Sequence, residues 1–474
     1  MEQKSWSALL LGKNGIRFLT FTGGVILHAT NVYIVITILP SLMSEMGELY
    51  YSWVATVFIT ASLLGTSLAT KILEKIGPRK AYLISGFIFT VGTFICSMAS
   101  TMPLFLLGRF IQGFGSGSLL SLSYSMVRLA FSPSLWSHAL SIISGMWGIS
   151  TLLGPAIGGI SVYYGAWRAS FWIIGTLAII FSLIALKVLP KENKRKIPTS
   201  PLPLLQLFIL ILLIFIISAC GAINTKIVQI CGLIIGLILF LVLAKVEKST
   251  LHPMLPHKSF SVSSEFFPIY VLILVMTTVV YSMELYFPLF LQELHGQTPL
   301  IAGYIASLTS LGWTCGSLSS AGVSSQKVRS IIVYSPILSL LGISSLLWLI
   351  PMKDSTSEHI FIICLALFAI GISAGIAWPH LLTRILQSAN NEDALRASES
   401  LTSVQLFSAA LSATLAGTIT NFAGLFNPGG IIGMISAAKT LLAVLISFLF
   451  CLGIPFALRV SYRILKNPIG QSKH

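Results

Sequence analysis

Two charged residues stand deep inside apolar runs of this 474-residue chain, Arg109 and Glu284. A guanidinium stays charged wherever it is placed, whereas a carboxyl in apolar surroundings favours its protonated form and ionises when a cation approaches. A switch between those two environments is what proton coupling requires. Counted at 1.5 Å per residue from run ends at Met102 and Leu291, both residues lie about 10 Å deep, and Asn31, counted from Pro40, lies at about 13 Å. The three therefore share a level. The alternative is a static Arg109–Glu284 pair that holds two parts of the protein in register. Trp147 and Tyr281 are aromatic residues able to line a cavity for a lipophilic compound, and packing against lipid or another helix explains them equally well. His28 and His380 also fall inside runs. With no acid beside them in sequence, a hydrogen-bonded packing role fits them better than a proton relay.

The elements that must position these residues follow from composition. The chain is 55% hydrophobic and only 9% charged, with a mean hydropathy of +0.91, whereas soluble domains carry charge on roughly a quarter of their residues. An all-α integral membrane protein is implied. Runs of spanning length fall at about 18 to 39, 53 to 73, 81 to 99, 102 to 127, 138 to 163 and 167 to 187. Two more lie at about 204 to 222 and 227 to 245, and six at about 266 to 291, 298 to 320, 330 to 351, 359 to 383, 398 to 422 and 437 to 459. The sequence thus predicts fourteen spans: a six-helix bundle over 1–189, linkers carrying two extra helices over 190–265, and a second six-helix bundle over 266–474. The first run is too long for a signal peptide and reads as a spanning helix.

The basic residues report topology. With the N-terminus inside, 24 of the 29 Lys and Arg fall in cytoplasmic segments, which places both termini in the cytoplasm of a cell inner (plasma) membrane. The net charge of +15 is scattered between runs instead of gathered on one face, so nucleic acid is not an expected partner. None of the six cysteines sits in a CxxC or His-rich cluster, which indicates neither disulfides nor a zinc site. An enzyme would need a nucleophile elbow, a metal cluster or a nucleotide loop. Gly113-Phe114-Gly115-Ser116-Gly117 matches none of these and reads as small-residue helix packing, so no cofactor is expected.

Three further signatures stand on this frame. Between the second and third spans, Thr70 to Lys80 includes Glu74, Lys75, Gly77, Arg79 and Lys80: a carboxylate, a turn glycine and a basic cluster. In the fourth span Arg109 and Gln112 join Gly113, Gly115 and Gly117. In the fifth, Gly145, Trp147 and Gly148 precede Gly154-Pro155-Ala156-Ile157-Gly158-Gly159, followed by Trp167-Arg168. Gly154 and Gly158 open a flat strip for close helix approach, and Pro155 bends the helix. Asn31 to Pro40 in the first span and Leu251-His252-Pro253-Met254-Leu255-Pro256 in the second linker complete the set.

Together these residues resemble the major facilitator superfamily, specifically its fourteen-spanner drug:proton antiporter branch. The resemblance implies two bundles that rock about a midplane cavity, with the first and fourth spans and the first span of the second bundle bordering it. It implies small-molecule substrate and protons as partners, Arg109, Asn31, Gln112 and Glu284 at the cavity, Glu74, Gly77, Arg79 and Lys80 in a cytoplasmic latch, and the fifth span as the seam. The sequence departs from the pattern at Thr70 and Glu74, where the loop motif has glycine and aspartate, and at Asn31, where the branch often has an acid. Coupling through an acid in the first span is not carried over. A nutrient importer and a non-transporting or lipid-moving protein are the competing classes, and oligomeric state is not legible. If the latch biases a conformational equilibrium, Glu74→Gln with Arg79→Gln should lose transport while substrate binding survives, as a transport assay paired with a binding assay would report.

Overall fold

The computed structural model describes residues 12–46, 51–132, 135–189, 203–223, 225–250, 253–352, 356–389, 393–425 and 427–466. Every regular element among them is helical: α1 (Gly12–Met46), α2 (Tyr51–Met98), α3 (Met102–Ala130), α4 (Trp136–Tyr163), α5 (Ala169–Val188), α6 (Leu204–Ala222) and α7 (Lys226–Ser249). There follow α8 (Phe266–His295), α9 (Pro299–Ser320), α10 (Ser325–Leu349), α11 (Ser357–Ser388), α12 (Ala394–Phe422), α13 (Gly430–Phe448) and α14 (Ile454–Lys466). In lipid a helix satisfies its own backbone, which is why apolar runs of this length take no other form.

Fourteen crossings result, by a route the sequence shows only in part. α2 supplies two, because Gly77 (φ 80°, ψ 167°) and Pro78 turn the chain within one continuous element. That positive φ costs glycine little, so the turn needs no loop. At the other end, a π-helical segment, Leu449–Gly453, fuses α13 and α14 into one crossing. Twelve crossings pass on length and apolarity alone. The remaining two, α3 and α9, are diluted by serine, threonine and glycine, and these same residues bind each of them to a partner.

The chain divides into two units, the first comprising Met1–Ile211, Leu251–Leu255 and Ala394–Phe407. Here α3 packs along α2 with almost no side-chain spacer. A Cβ on Gly113 would strike the Phe58 carbonyl, one on Gly117 the Ser62 carbonyl, and one on Gly65 the Phe114 carbonyl. Hydroxyls clasp the same seam: Ser62 donates to the Gly113 carbonyl at 3.0 Å, Thr66 to the Gly117 carbonyl at 3.2 Å and Ser118 to the Gly65 carbonyl at 3.0 Å. Lipid tails are as apolar as leucine, so close packing and such interhelical bonds, and not exclusion from water, hold helices together. The strip on α4 faces α1 of the same unit: a Cβ on Gly154 would collide with Tyr33, and one on Gly158 would stand 3.0 Å from Thr37 Cβ.

The second unit comprises Leu212–Thr250, Pro256–Asp393 and Ser408–His474. It repeats the device between α9 and α11. Gly371 and Gly375 lie against the Thr309 and Trp313 carbonyls, and Gly312 and Gly316 against those of Phe368 and Ile372. The sequence shows this repeat only as six runs and six runs. Trp167 and Trp378 lie near span ends, where interface-belt aromatics are expected, but Trp167 is buried with its indole N–H bonded to Glu45, and Trp378 is buried against Trp313, ring centroids 4.8 Å apart. Trp348 is two-thirds exposed, as a belt residue should be. Because Gly154 touches Tyr33 directly, Gly154→Leu should cost about 1–3 kcal/mol through overpacking. Thermal unfolding of the purified protein checks this, and an unchanged midpoint would exclude a packing role for the strip.

Candidate functional site

Arg109 projects from α3 and is 1% exposed. A guanidinium in that position needs its donors engaged. Its Nε donates to the Val54 carbonyl at 3.2 Å, its Nη1 to Gln112 Oε1 at 2.6 Å, and its face lies 4.0 Å from the centroid of the Phe58 ring. Gln112, one turn along the same helix, passes the chain on: its Nε2 donates to Thr93 Oγ1 at 2.9 Å, and Thr93 donates to the Phe89 carbonyl at 2.7 Å. The cation is thereby tied to both halves of α2.

One more turn along α3, Ser116 Oγ lies 2.8 Å from His28 Nδ1. The His28 imidazole stands between two aromatic rings, Phe58 at 5.5 Å and Trp147 at 5.6 Å between centroids. Four helices, α1 to α4, thus contribute His28, Phe58, Arg109 with Gln112, and Trp147 to one continuous wall. Within the same unit, Asn31 follows His28 by one turn and is fully buried, with neither amide atom hydrogen-bonded. Thr30 Oγ1, Ser144 Oγ and Trp147 Nε1 are likewise buried without a hydrogen-bond partner. Leaving such groups unmet costs about 1–3 kcal/mol each. Together they are hydrogen-bonding capacity that the protein itself does not use.

In the second unit, Glu284 of α8 is partly buried and accepts a hydrogen bond from Ser310 of α9 at Oε1. Tyr281 lies one turn before it on the same helix. Thr277, Ser282 and Thr309 carry buried hydroxyls without a hydrogen-bond partner.

Other site residues read from the sequence have these surroundings. Gly154, Pro155, Gly158 and Gly159 lie on α4, and the first and third of them touch α1. Gly77 makes the α2 turn. Arg79 donates from Nε to the Leu189 carbonyl at 2.7 Å, at the end of α5, and Lys75 and Lys80 are exposed. The Glu74 side chain lies outside the described residues.

Sequence reasoning missed Phe58 and Ser116, which nothing local marks, and gave His28 only a packing role. It also missed Glu45. That carboxylate receives both Arg168 Nη atoms, at 2.7 and 3.0 Å, and the Trp167 indole N–H at 2.8 Å, while Arg168 also reaches the Ala99 carbonyl at 2.9 Å and stacks on Trp167 at 4.2 Å. The clamp joins the ends of α1, α2 and α5, opposite the Gly77 turn. Hydrogen bonds from Arg168 and then Trp167 hold the Glu45 carboxyl below its ordinary value.

The model of the Major Facilitator Superfamily matches residues 21–413. A "probable multidrug-efflux transporter" of Mycobacterium tuberculosis is 30% identical over 438 residues, which is 89% of this chain and 91% of that protein. A riboflavin transporter of Clostridioides difficile is 27% identical over 391 residues, 79% of each chain. Among solved structures, the human organic anion transporter MFSD10 aligns with a TM-score of 0.65 at 14% identity, covering 91% of this chain and 98% of that one. At that identity the likeness speaks for the fold alone.

The clamp gives a pH-dependent expectation. A carboxyl whose folded pKa is depressed contributes stability above its unfolded value of about 4.3, and that contribution is lost as pH falls through the folded value. Glu45→Gln should therefore lower stability at neutral pH by up to about 1 kcal/mol for a half-exposed pair, read as a lower unfolding midpoint. The difference from wild type should vanish on acidification below the carboxyl range, which thermal unfolding across pH would reveal.

Proposed function

Because the chain belongs to the Major Facilitator Superfamily and is a multi-pass membrane transporter of small molecules, we propose that it exports a lipophilic compound in exchange for protons by alternating access. The carrying observation is Glu284, an ionisable carboxyl partway along a spanning helix with a hydroxyl donor on the neighbouring helix. A carboxylate in that setting costs free energy that protonation removes. Protonation from one side and release on the other gives the bundles two states of different charge, which is what lets a proton gradient drive a cycle. Arg109 supplies the fixed charge of the first unit. Asn31, Trp147, Thr30 and Ser144 supply unmet donors and acceptors for a substrate with polar groups on an aromatic or apolar body.

Export is favoured by the relationship to the multidrug-efflux protein of Mycobacterium tuberculosis, which spans nearly the whole chain. In this reading the protein lies in the cell inner membrane with both termini in the cytoplasm, an orientation that the distribution of lysine and arginine supports. A second reading is supported by one relative, the riboflavin transporter: uptake of a flat, hydrogen-bonding aromatic metabolite. Proteoliposomes loaded with a lipophilic dye or with riboflavin, each with and without an imposed proton gradient, separate the two by direction.

For the mechanism, Glu284→Gln should abolish gradient-driven dye movement while dye binding stays within about twofold of wild type, a factor worth under 0.5 kcal/mol. Arg109→Ala should impair both, because it removes the charge and leaves Gln112 and the Val54 carbonyl without their donor. Unchanged gradient-driven transport by Glu284→Gln would remove that residue from the coupling path and turn attention to His28.

A further inference from the structure

The last described helix, α14, carries a basic cluster the transport reading does not use. Arg459 and Arg463, one turn apart on α14, both donate from Nη2 to a single neutral acceptor, the Val262 carbonyl, at 2.7 and 3.0 Å. Two guanidiniums converging on one uncharged oxygen repel each other, and the carbonyl neutralises neither. Arg463 Nη1 is buried with no hydrogen-bond partner at all. The nearby linker carboxylate, Glu265, attracts Arg463 through space but is shared with Arg384, whose Nη2 reaches it at 2.9 Å, and with Ser388 Oγ at 2.8 Å.

A third arginine stands towards the same end of the neighbouring helix. The position a Cβ would take on Gly453 lies 3.3 Å from Pro336 of α10 and 3.5 Å from Val275 of α8, which sets these three residues at one level. Counting from there at 1.5 Å per residue, Arg463 lies about 15 Å towards the chain end, Glu265 about 15 Å in the same direction along α8, and Arg329 about 10 Å along α10. α10 packs against α14, and Arg329 Nε is also buried without a hydrogen-bond partner. Beside the arginines runs an apolar stripe, Leu458, Tyr462 and Leu465, each more than half exposed, with Val262 at its edge. A cationic pocket at a helix end, bordered by apolar surface that faces acyl chains, has the chemistry of a lipid headgroup site.

We propose that Arg459, Arg463 and Arg329 form a site for the phosphodiester of an anionic phospholipid, whose acyl chains lie along Leu458, Tyr462 and Leu465. The phosphate oxygens would take the unmet Nη1 and Nε donors and relieve the repulsion at Val262. Under the proposed orientation the site opens on the cytoplasmic leaflet, where negative lipid charge is concentrated. By securing α14 and the 262–265 segment to that leaflet, the lipid would stabilise the second unit whether or not transport is proton-driven.

The test uses the full chain in nanodiscs of phosphatidylcholine alone or with one quarter phosphatidylglycerol, read by unfolding temperature and by native mass spectrometry of retained lipid. Wild type should unfold at a higher temperature with phosphatidylglycerol and retain it through mild delipidation. Arg459→Gln with Arg463→Gln should weaken that retention about twenty-five-fold, from about fivefold per arginine near a membrane surface, and erase the thermal shift. Arg463→Gln alone leaves Arg459 to hold Val262 and should weaken retention about fivefold. Lys245→Gln with Lys248→Gln, at the exposed basic end of α7, should leave both readouts as in wild type. Unchanged retention in the single and double arginine variants overturns the proposal, as does an equal thermal shift from inorganic phosphate in phosphatidylcholine discs, which would mark an anion site without lipid specificity. Transport by Glu284→Gln bears only on proton coupling, so the two readings fail separately.

Discussion

Placing one guanidinium inside a membrane sets the terms for the first unit. Arg109 is tolerable there only because a backbone carbonyl, a glutamine and an aromatic face are within reach, and the carbonyl is within reach only because α2 and α3 touch backbone to backbone. That approach in turn requires glycine at 113 and 117, opposite Phe58 and Ser62. Phe58 serves twice: its carbonyl receives the glycine contact, and its ring lies against the cation and neighbours the His28 imidazole. Substituting any of these residues would be felt at the charge. The small-residue strip and the buried cation are one construction.

The second unit uses the same helix pairing without the charge. α9 and α11 approach through four glycines as α2 and α3 do, yet the ionisable group near that pair is a carboxyl on α8 held by Ser310. A shared scaffold thus carries a buried cation in one half and a carboxyl in the other.

Much of the architecture is legible in the sequence. Apolar length marks twelve of the crossings outright and α3 and α9 more faintly, through their serine, threonine and glycine, and Gly77-Pro78 marks the turn between the second and third, because these signals are local. Partner identity was not local. Glu45 finds Arg168 across 123 residues of chain and Trp167 across 122, and nothing near Glu45 announces a clamp. Trp167 and Trp378 lie near span ends, where hydropathy places belt aromatics, but burial depends on which helix stands beside them. The glycines at 154 and 158 plainly offered a flat face, while the helix that occupies it, α1, could be identified only in three dimensions. His28 illustrates the same limit, since its neighbours Ser116, Phe58 and Trp147 come from three other helices.

The π-helical segment at Leu449–Gly453 has a consequence for how this chain can change over generations. Such a segment holds one residue more than the α-helical path needs, so the residues after it keep the faces they would have without that extra residue. Losing one codon within Leu449–Gly453 would let the wide turn close into α-helix while Arg459, Arg463, Leu458 and Tyr462 kept their directions. Losing one codon in the α-helical stretch just before or after it would instead swing them by about 100°. Small insertions and deletions are usually confined to loops, where they alter reach. In this helix the wide turn is a place where a single genetic event can remove a residue from a crossing and leave the basic and apolar surface beyond it aimed as before.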